Sequence, residues 1–285
     1  RQPQEQPMSD ARTPVPSDQA RLSSYPATAD LRGRVALVTG VGRRRGIGSA
    51  ICRALAARGA DVVLSYWKAY DRSAPWATDE DEPEALLEEL RGTGVRAEGV
   101  ESDLSRPDSP GRLLEAATAL LGTPSILVNN AAYSERDGFE GLDAETLDAH
   151  YAVNVRATVL LSVLFARRYP GGPGGRILNL SSGQSLGPMV GELAYAASKG
   201  AIESFTRTLA AEVGHKGITV NAVNPGPTNT GWMTEELKRE LAAKFPSGRV
   251  GEPEDAARLV AFLAGSEAAW ITGQILHSEG GFLRS

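Results

Sequence analysis

Seven short apolar runs rich in β-branched residues recur along the chain, and helical patterns separate them. The runs fall at 34–39, 61–66, 96–100, 125–128, 177–180, 218–223 and 271–276. Helical spacing of apolar residues fills most of the intervals, as at Ala50, Ile51, Ala54 and Leu55 before Gly59. Strands alternating with helices cannot pair as hairpins. They predict an α/β fold, a doubly wound parallel sheet of about seven strands with helices on both faces. In such sheets ligands bind at the carboxyl ends of the strands. The turn at 40–48, Asn129, Ser182 and Pro225-Gly226 all fall at predicted strand ends, so they are expected on one edge.

The residues outside this alternation bound the rest. Residues 1–30 are rich in Pro, Gln, Ser, Thr and Asp and lack apolar periodicity, so they read as a disordered tail. Residues 31–285 are expected to form one domain, with a substrate lid around 230–250. The 68–83 stretch, acidic at its end, reads as a surface loop, and 143 to about 168 reads as one long helix. A net charge of −5 gives no basic footprint for nucleic acid. No stretch reads as long enough to span a membrane. The single cysteine, Cys52, forms no disulfide within the chain, which fits a reducing, cytoplasmic setting. His150, His215 and His277 lie on different predicted elements without ligand-like spacing, so no metal site is expected.

The first strand runs into Gly40, Gly42, Gly46, Ile47 and Gly48, and a helix follows. Glycines let a backbone turn tightly against a pyrophosphate lying on a helix N-terminus. The second strand ends Ser65-Tyr66-Trp67-Lys68, without the carboxylate that would hold the ribose 2′-hydroxyl of NAD. Arg43, Arg44 and Arg45 stand in the glycine turn instead. They read as a receptor for a 2′-phosphate, with at least one of the three making the contact. The cofactor is therefore expected to be NADP(H).

Tyr195 and Lys199 are four residues apart, which places both side chains on one helix face. A phenol titrates near ~10, and a neighbouring ammonium favours its ionised form. The pair reads as a proton-transfer unit. Ser182, 13 residues upstream, sits at the end of the 177–180 run and could hold a substrate oxygen. Asn154 is off-pattern inside its helix, where a bond to the local backbone would account for it.

These motifs, taken in order over about residues 31–283, resemble the short-chain dehydrogenase/reductase family, nearest to its 3-oxoacyl-thioester reductases. The resemblance rests on Thr39-Gly40, Gly46-Ile47-Gly48, Asp103, Asn129-Asn130-Ala131, Asn154, Ser182, Tyr195, Lys199 and Pro225-Gly226 through Thr230. It implies a Rossmann-type fold and a hydride-transferring oxidoreductase acting on a carbonyl or secondary alcohol of a small molecule. It also implies that Tyr195 is the general acid/base and that Ser182 orients the substrate oxygen. Lys199 would bind the nicotinamide ribose and lower the Tyr195 pKa, and Asn154 would hold a relay water. The cofactor contacts it implies include Asp103, Leu104, Asn130, Ala131, Pro225, Gly226, Thr228 and Thr230, beside the glycine turn, Tyr66, Trp67, Tyr195 and Lys199. Gln184, Met189, Glu192, Trp232 and Met233 are the expected substrate pocket. Related enzymes pair the helices that carry Asn154 and Tyr195. With apolar Val159, Leu160, Val163, Leu164, Phe205 and Leu209 on those helices, this predicts a homodimer or homotetramer. The alternatives are an NAD-dependent alcohol dehydrogenase and a nucleotide-binding regulator without turnover. One departure stands out: five residues separate Gly40 from Gly46, two more than the family's usual spacing.

Overall fold

The computed structural model describes residues 30–73 and 81–284. The expected tail, apart from Asp30, and the middle of the acidic connection lie outside the described residues. Seven strands form one parallel sheet: β1 (Val35–Val38), β2 (Asp61–Tyr66), β3 (Ala97–Glu101), β4 (Ile126–Asn129), β5 (Gly175–Leu180), β6 (Ile218–Asn224) and β7 (Ile275–His277), in the order β3-β2-β1-β4-β5-β6-β7. Ala36 pairs with Val62 of β2 on one side and with Ile126 of β4 on the other. The chain reverses its direction of travel across the sheet at β1/β4, which opens a crevice at the carboxyl ends of those strands.

Side chains along each strand alternate between the two faces. Ala36, Val38, Val62, Leu64, Val128 and Leu178 join one core with α1 (Ile47–Ala56), α3 (Glu82–Arg91) and α8 (Pro253–Ala264). Val35, Leu37, Val63, Leu127, Ile177 and Val220 join the other. That second core is closed by α4 (Ser109–Leu121), α5 (Ala144–Arg168) and α6 (Leu193–Val213). Cys52 is fully buried on α1, and burial drives its thiol pKa far up.

Four expectations are corrected. The 68–83 connection begins with a helical turn, α2 (Lys68–Ser73), rather than a loop. Helix α5 is interrupted by a π-helical segment, Tyr151–Ala157, so Asn154 stands on the wider turn. At 25 residues and mean hydropathy 1.3, α5 is also long and apolar enough to cross a bilayer. Its apolar face instead packs against the sheet through Ala157, Leu161 and Phe165. The last strand is confined to Ile275–His277, because Gly273 at φ 69° turns the chain just before it.

The segment after β6 has fixed anchors. Helix α7 (Glu235–Ala242) is capped by Thr234, whose Oγ1 accepts the Leu237 N–H at 3.2 Å. Met233, Phe245 and Val250 form a small third core with Leu237, Leu241 and Phe282. Phe282 lies 37 residues beyond Phe245, which is why local periodicity did not reveal the anchor.

Candidate active site

A cleft of about 340 Å³ lies at the β1/β4 crevice. Its floor is set by contacts between the two strand ends. Thr39 Oγ1 accepts the N–H groups of Asn130 (3.1 Å) and Ala131 (3.0 Å). Asn130 Nδ2 donates to the carbonyls of Thr39 and Gly40, each at 2.9 Å. A Cβ on Gly40, which has φ 71°, would stand 2.5 Å from Ala131 Cα. A Cβ on Gly48 would stand 2.7 Å from Asn130 Nδ2. Only glycine allows this approach. Gly46 offers no capping side chain to α1. The first-turn N–H groups thus remain available to an anion beside Gly46, Ile47 and Gly48 on the cleft wall. This cradle fits a dinucleotide pyrophosphate.

The three arginines separate. Arg43 lines the cleft, and its Nη1 donates to the Thr230 carbonyl at 3.0 Å, in the segment after β6. Arg44 is exposed and turns away to α3, where its N–H meets Glu82 at 2.5 Å and its guanidinium meets Glu89 at 3.2 Å. Arg45 is exposed and not on the cleft. Tyr66, Trp67 and Leu104 line the cleft, but Asp103 does not. The Asp103 carboxylate is engaged by Ser105 through its N–H (2.9 Å) and hydroxyl (2.6 Å).

Sequence reasoning missed Tyr70 and Asp71, which α2 brings back onto the cleft. Their signal was slight: Asp71 stands four residues after Trp67, whose carbonyl accepts its N–H at 3.2 Å, and the polar residues beyond obscured this short helix. The Asp71 carboxylate occupies the space a Cβ on Gly42 would need, so glycine there makes room for it. Burial raises the Asp71 pKa, with the Arg43 charge opposing; burial lowers that of Arg43, with Asp71 opposing.

At the other end, Tyr195 lines the cleft, with the Ser182 hydroxyl close enough to favour its ionised form. Ser182 Oγ also lies 3.8 Å from the Met189 sulfur. Lys199 is buried, with Nζ 5.4 Å from the Tyr195 ring centroid and donating to the Leu180 carbonyl at 2.8 Å. Burial pulls the Lys199 pKa down to about 8. Burial, then the Glu192 charge, push Tyr195 well above the usual phenol value, and only the Ser182 hydroxyl works the other way. Burial and the Glu192 charge both favour the neutral phenol over the phenolate. The expected lowering by Lys199 is not among the causes, because that ammonium is turned to the end of β5.

Asn154 does not bond its own helix as the local reading had it. Its Oδ1 accepts the Tyr133 N–H at 2.7 Å, and its Nδ2 donates to the Tyr133 carbonyl (2.9 Å) and to Ser198 Oγ (3.0 Å). The π-helical turn thus clasps the loop after β4 to α6. One lone pair of Oδ1 remains for a relay water. His150 is buried beside this clasp, edge-on to Tyr133 at 4.9 Å between centroids and 6.4 Å from Tyr195. Its Nδ1 donates to the Thr146 carbonyl at 2.8 Å and its Nε2 accepts the Glu135 N–H at 3.3 Å, which fixes one tautomer.

The substrate-pocket expectations divide. Trp232 lines the cleft, and its Nε1 donates to the Thr228 carbonyl at 3.0 Å. Met189 touches Ser182, and half-buried Glu192 sits one residue before α6. Gln184 turns inward and donates to Glu203 at 2.8 Å, while Met233 is buried in the small third core. Thr230 lines the cleft; Thr228 is buried beneath it, its hydroxyl donating to the carbonyls of Pro225 (3.2 Å) and Gly226 (3.1 Å). Among the described residues no cluster of three metal-ligating side chains occurs.

Residues 40–283 match the family described as enoyl-(acyl carrier protein) reductase. The chain is a short-chain dehydrogenase/reductase. An uncharacterized oxidoreductase of Bacillus subtilis, YjdA, is 51% identical over 253 residues, covering 88% of this chain and 97% of that protein. An NADPH-dependent aldehyde reductase-like chloroplastic protein of Arabidopsis thaliana is 40% identical over 261 residues, 89% of this chain and 95% of that one. A solved blue fluorescent protein from a metagenomic library, in complex with NADPH, superposes with a TM-score of 0.80 at 36% identity, over 89% of this chain and 99% of that one. The seven-stranded parallel sheet is that of the short-chain dehydrogenase/reductase fold, and the chain is an oxidoreductase of that family.

Proposed function

We propose that this short-chain dehydrogenase/reductase is an NADP(H)-dependent carbonyl reductase. The observation that carries the reading is Tyr195 on the cleft wall, with Ser182 at the adjoining strand end and the Lys199 ammonium 5.4 Å from its ring. The glycine turn and the α1 N-terminus would hold the pyrophosphate, and Lys199 and Tyr195 would flank the nicotinamide ribose. The bound cofactor supplies hydride. Ser182 positions the carbonyl oxygen of the substrate, and Tyr195 gives that oxygen its proton as charge develops on it. The Lys199 charge then offsets the phenolate left behind. Trp232, on the cleft wall, would shield the reacting atoms from water once substrate is seated.

Arg43 is the cation on the cleft that suits a 2′-phosphate, and two similar proteins are named for NADPH. Asp71 is the observation that favours the second reading, NAD(H): a carboxylate on the same wall suits ribose hydroxyls and opposes a phosphate. The deciding experiment is kcat/KM with NADPH and with NADH on one aromatic aldehyde. A ratio well above one is expected, and a ratio at or below one overturns the NADP(H) reading. Turnover of none of a broad panel of aldehydes and ketones with either cofactor overturns the carbonyl reading.

The substrate is a small molecule, as in the family, and the protein works as a homodimer or homotetramer in a reducing, cytoplasmic setting. Supporting the oligomer, Tyr151, Val159 and Leu160 line a hollow on the outer face of α5. The apolar surplus is smaller than the sequence implied, since Leu209 is buried in the second core and Leu164 and Phe205 pack against it.

A further inference from the structure

The residues after β7 reach the loop that follows β5. After β7 the chain turns at Gly280 and Gly281, with φ 59° and 72°. It then docks on the lid: Leu283 N–H donates to the Lys244 carbonyl at 2.9 Å, and the Phe282 and Phe245 rings lie 5.0 Å apart. Arg284 leaves this strap on its other side. Its guanidinium lies 5.3 Å from the Phe282 centroid and forks onto Glu279, with Nη1 at 2.8 Å from Oε1 and Nη2 at 2.5 Å from Oε2. Asn224 Nδ2, at the end of β6, donates to the same Oε2 at 2.8 Å.

The substrate loop rests directly on this side chain. A Cβ on Gly183 would collide with Arg284 Nη2, and a Cβ on Gly187 would stand 2.9 Å from its Cδ. Gly183 follows Ser182, and Met189 is two residues beyond Gly187. On the facing side a Cβ on Gly226 would stand 2.5 Å from Glu279 Cβ. One ion pair therefore touches the loop after β5 and the turn after β6, and through Phe282, which packs on Phe245, it is tied to the lid. Its side chains are 21% and 10% exposed. A pair this far out of water gains little net stability from its attraction, because desolvation offsets it. What it provides is registry: a forked, planar contact holds one geometry.

We propose that Arg284, held by Glu279, is a positioning residue that sets Ser182 and the lid together, so that substrate closure at the lid and orientation of the carbonyl oxygen are one movement. The inference rests on the carbonyl-reductase reading of this site. The test combines kinetics with hydrogen exchange on Arg284→Ala, Arg284→Lys and Glu279→Gln. Arg284→Ala is expected to cut kcat/KM for an aromatic aldehyde at least tenfold, chiefly through KM, with the NADPH Kd within twofold of wild type. Arg284→Lys, which keeps the charge but not the fork, is expected to recover part of that loss. Glu279→Gln keeps the shape and should show the Arg284→Ala pattern. In Arg284→Ala and Glu279→Gln, amides in 183–192 should exchange at least tenfold faster while those in 40–48 are unchanged. Exchange needs no substrate, so it judges the positioning role even where the carbonyl reading fails. Unchanged exchange in 183–192, equal loosening of 40–48, or an NADPH Kd that weakens in step with kcat/KM would each overturn the proposal.

Discussion

Tyr195 carries the sharpest single-residue expectation. Tyr195→Phe removes the transferable proton and leaves the ring that packs near His150. Turnover should fall by about 10²–10⁴-fold, the usual worth of acid/base help, with the NADPH Kd nearly intact. A phenylalanine variant retaining more than a tenth of wild-type rate would refute the role. Lys199 brings an opposed pair of effects. Its folded pKa of about 8 lies below the ordinary 10.5, so between those values the unfolded chain holds the extra proton. Stability therefore rises with pH across that window, and the full burial penalty applies below pH 8. At ~1.4 kcal/mol per unit of pKa, the penalty is at most about 3 kcal/mol. Lys199→Met should raise Tm at pH 7 while destroying activity; a lowered Tm would show that the bond to Leu180 outweighs the charge. At the adenosine end, Arg43→Ala should lower the NADPH/NADH ratio of kcat/KM about tenfold or more, as one charge-assisted bond of ~1.5–3 kcal/mol implies. Asp71→Asn should raise that ratio, and Arg44→Ala should leave it unchanged.

At the scale of elements, the strands, the glycine turn and the helix carrying Tyr195 and Lys199 were legible because each is a local pattern. Period-2 and period-3.6 spacing are written within ten residues. What escaped is settled at long range. Asp71 reads as a solvated acid until α2 folds it back against Gly42. Of three adjacent arginines, only the geometry of the lengthened turn assigns one to the cleft and one to Glu89. The π-helical turn in α5 has no composition signal, since it is stabilised by what Asn154 meets on Tyr133 and Ser198. The lid behaves similarly: α7 is a marginal helix of eight residues held by Phe245 and Phe282. Its small core makes it a low-stability unit. Protease cleavage within 231–248 should be fast in the free protein and slowed several-fold by NADPH with a substrate analogue. Equal rates would mean that the segment does not gate the site.

For the whole molecule, the sheet order makes the two halves interdependent. β1 needs β4 as its neighbour, and 90 residues separate Ala36 from its partner Ile126. Light scattering should give twice or four times the mass of the 30.1 kDa chain, and a stable monomer at micromolar concentration would refute pairing through α5 and α6. Cys52 adds a built-in reporter. It lies on α1, the helix proposed to receive the pyrophosphate, and it is fully buried in the first core. A thiol reagent can reach it only when α1 lifts away. The labelling rate of this one atom is then a clock for the opening of the cofactor cradle. A dinucleotide seated on the helix end must slow that clock in proportion to its occupancy, so the chain's only sulfhydryl meters cofactor binding without any turnover.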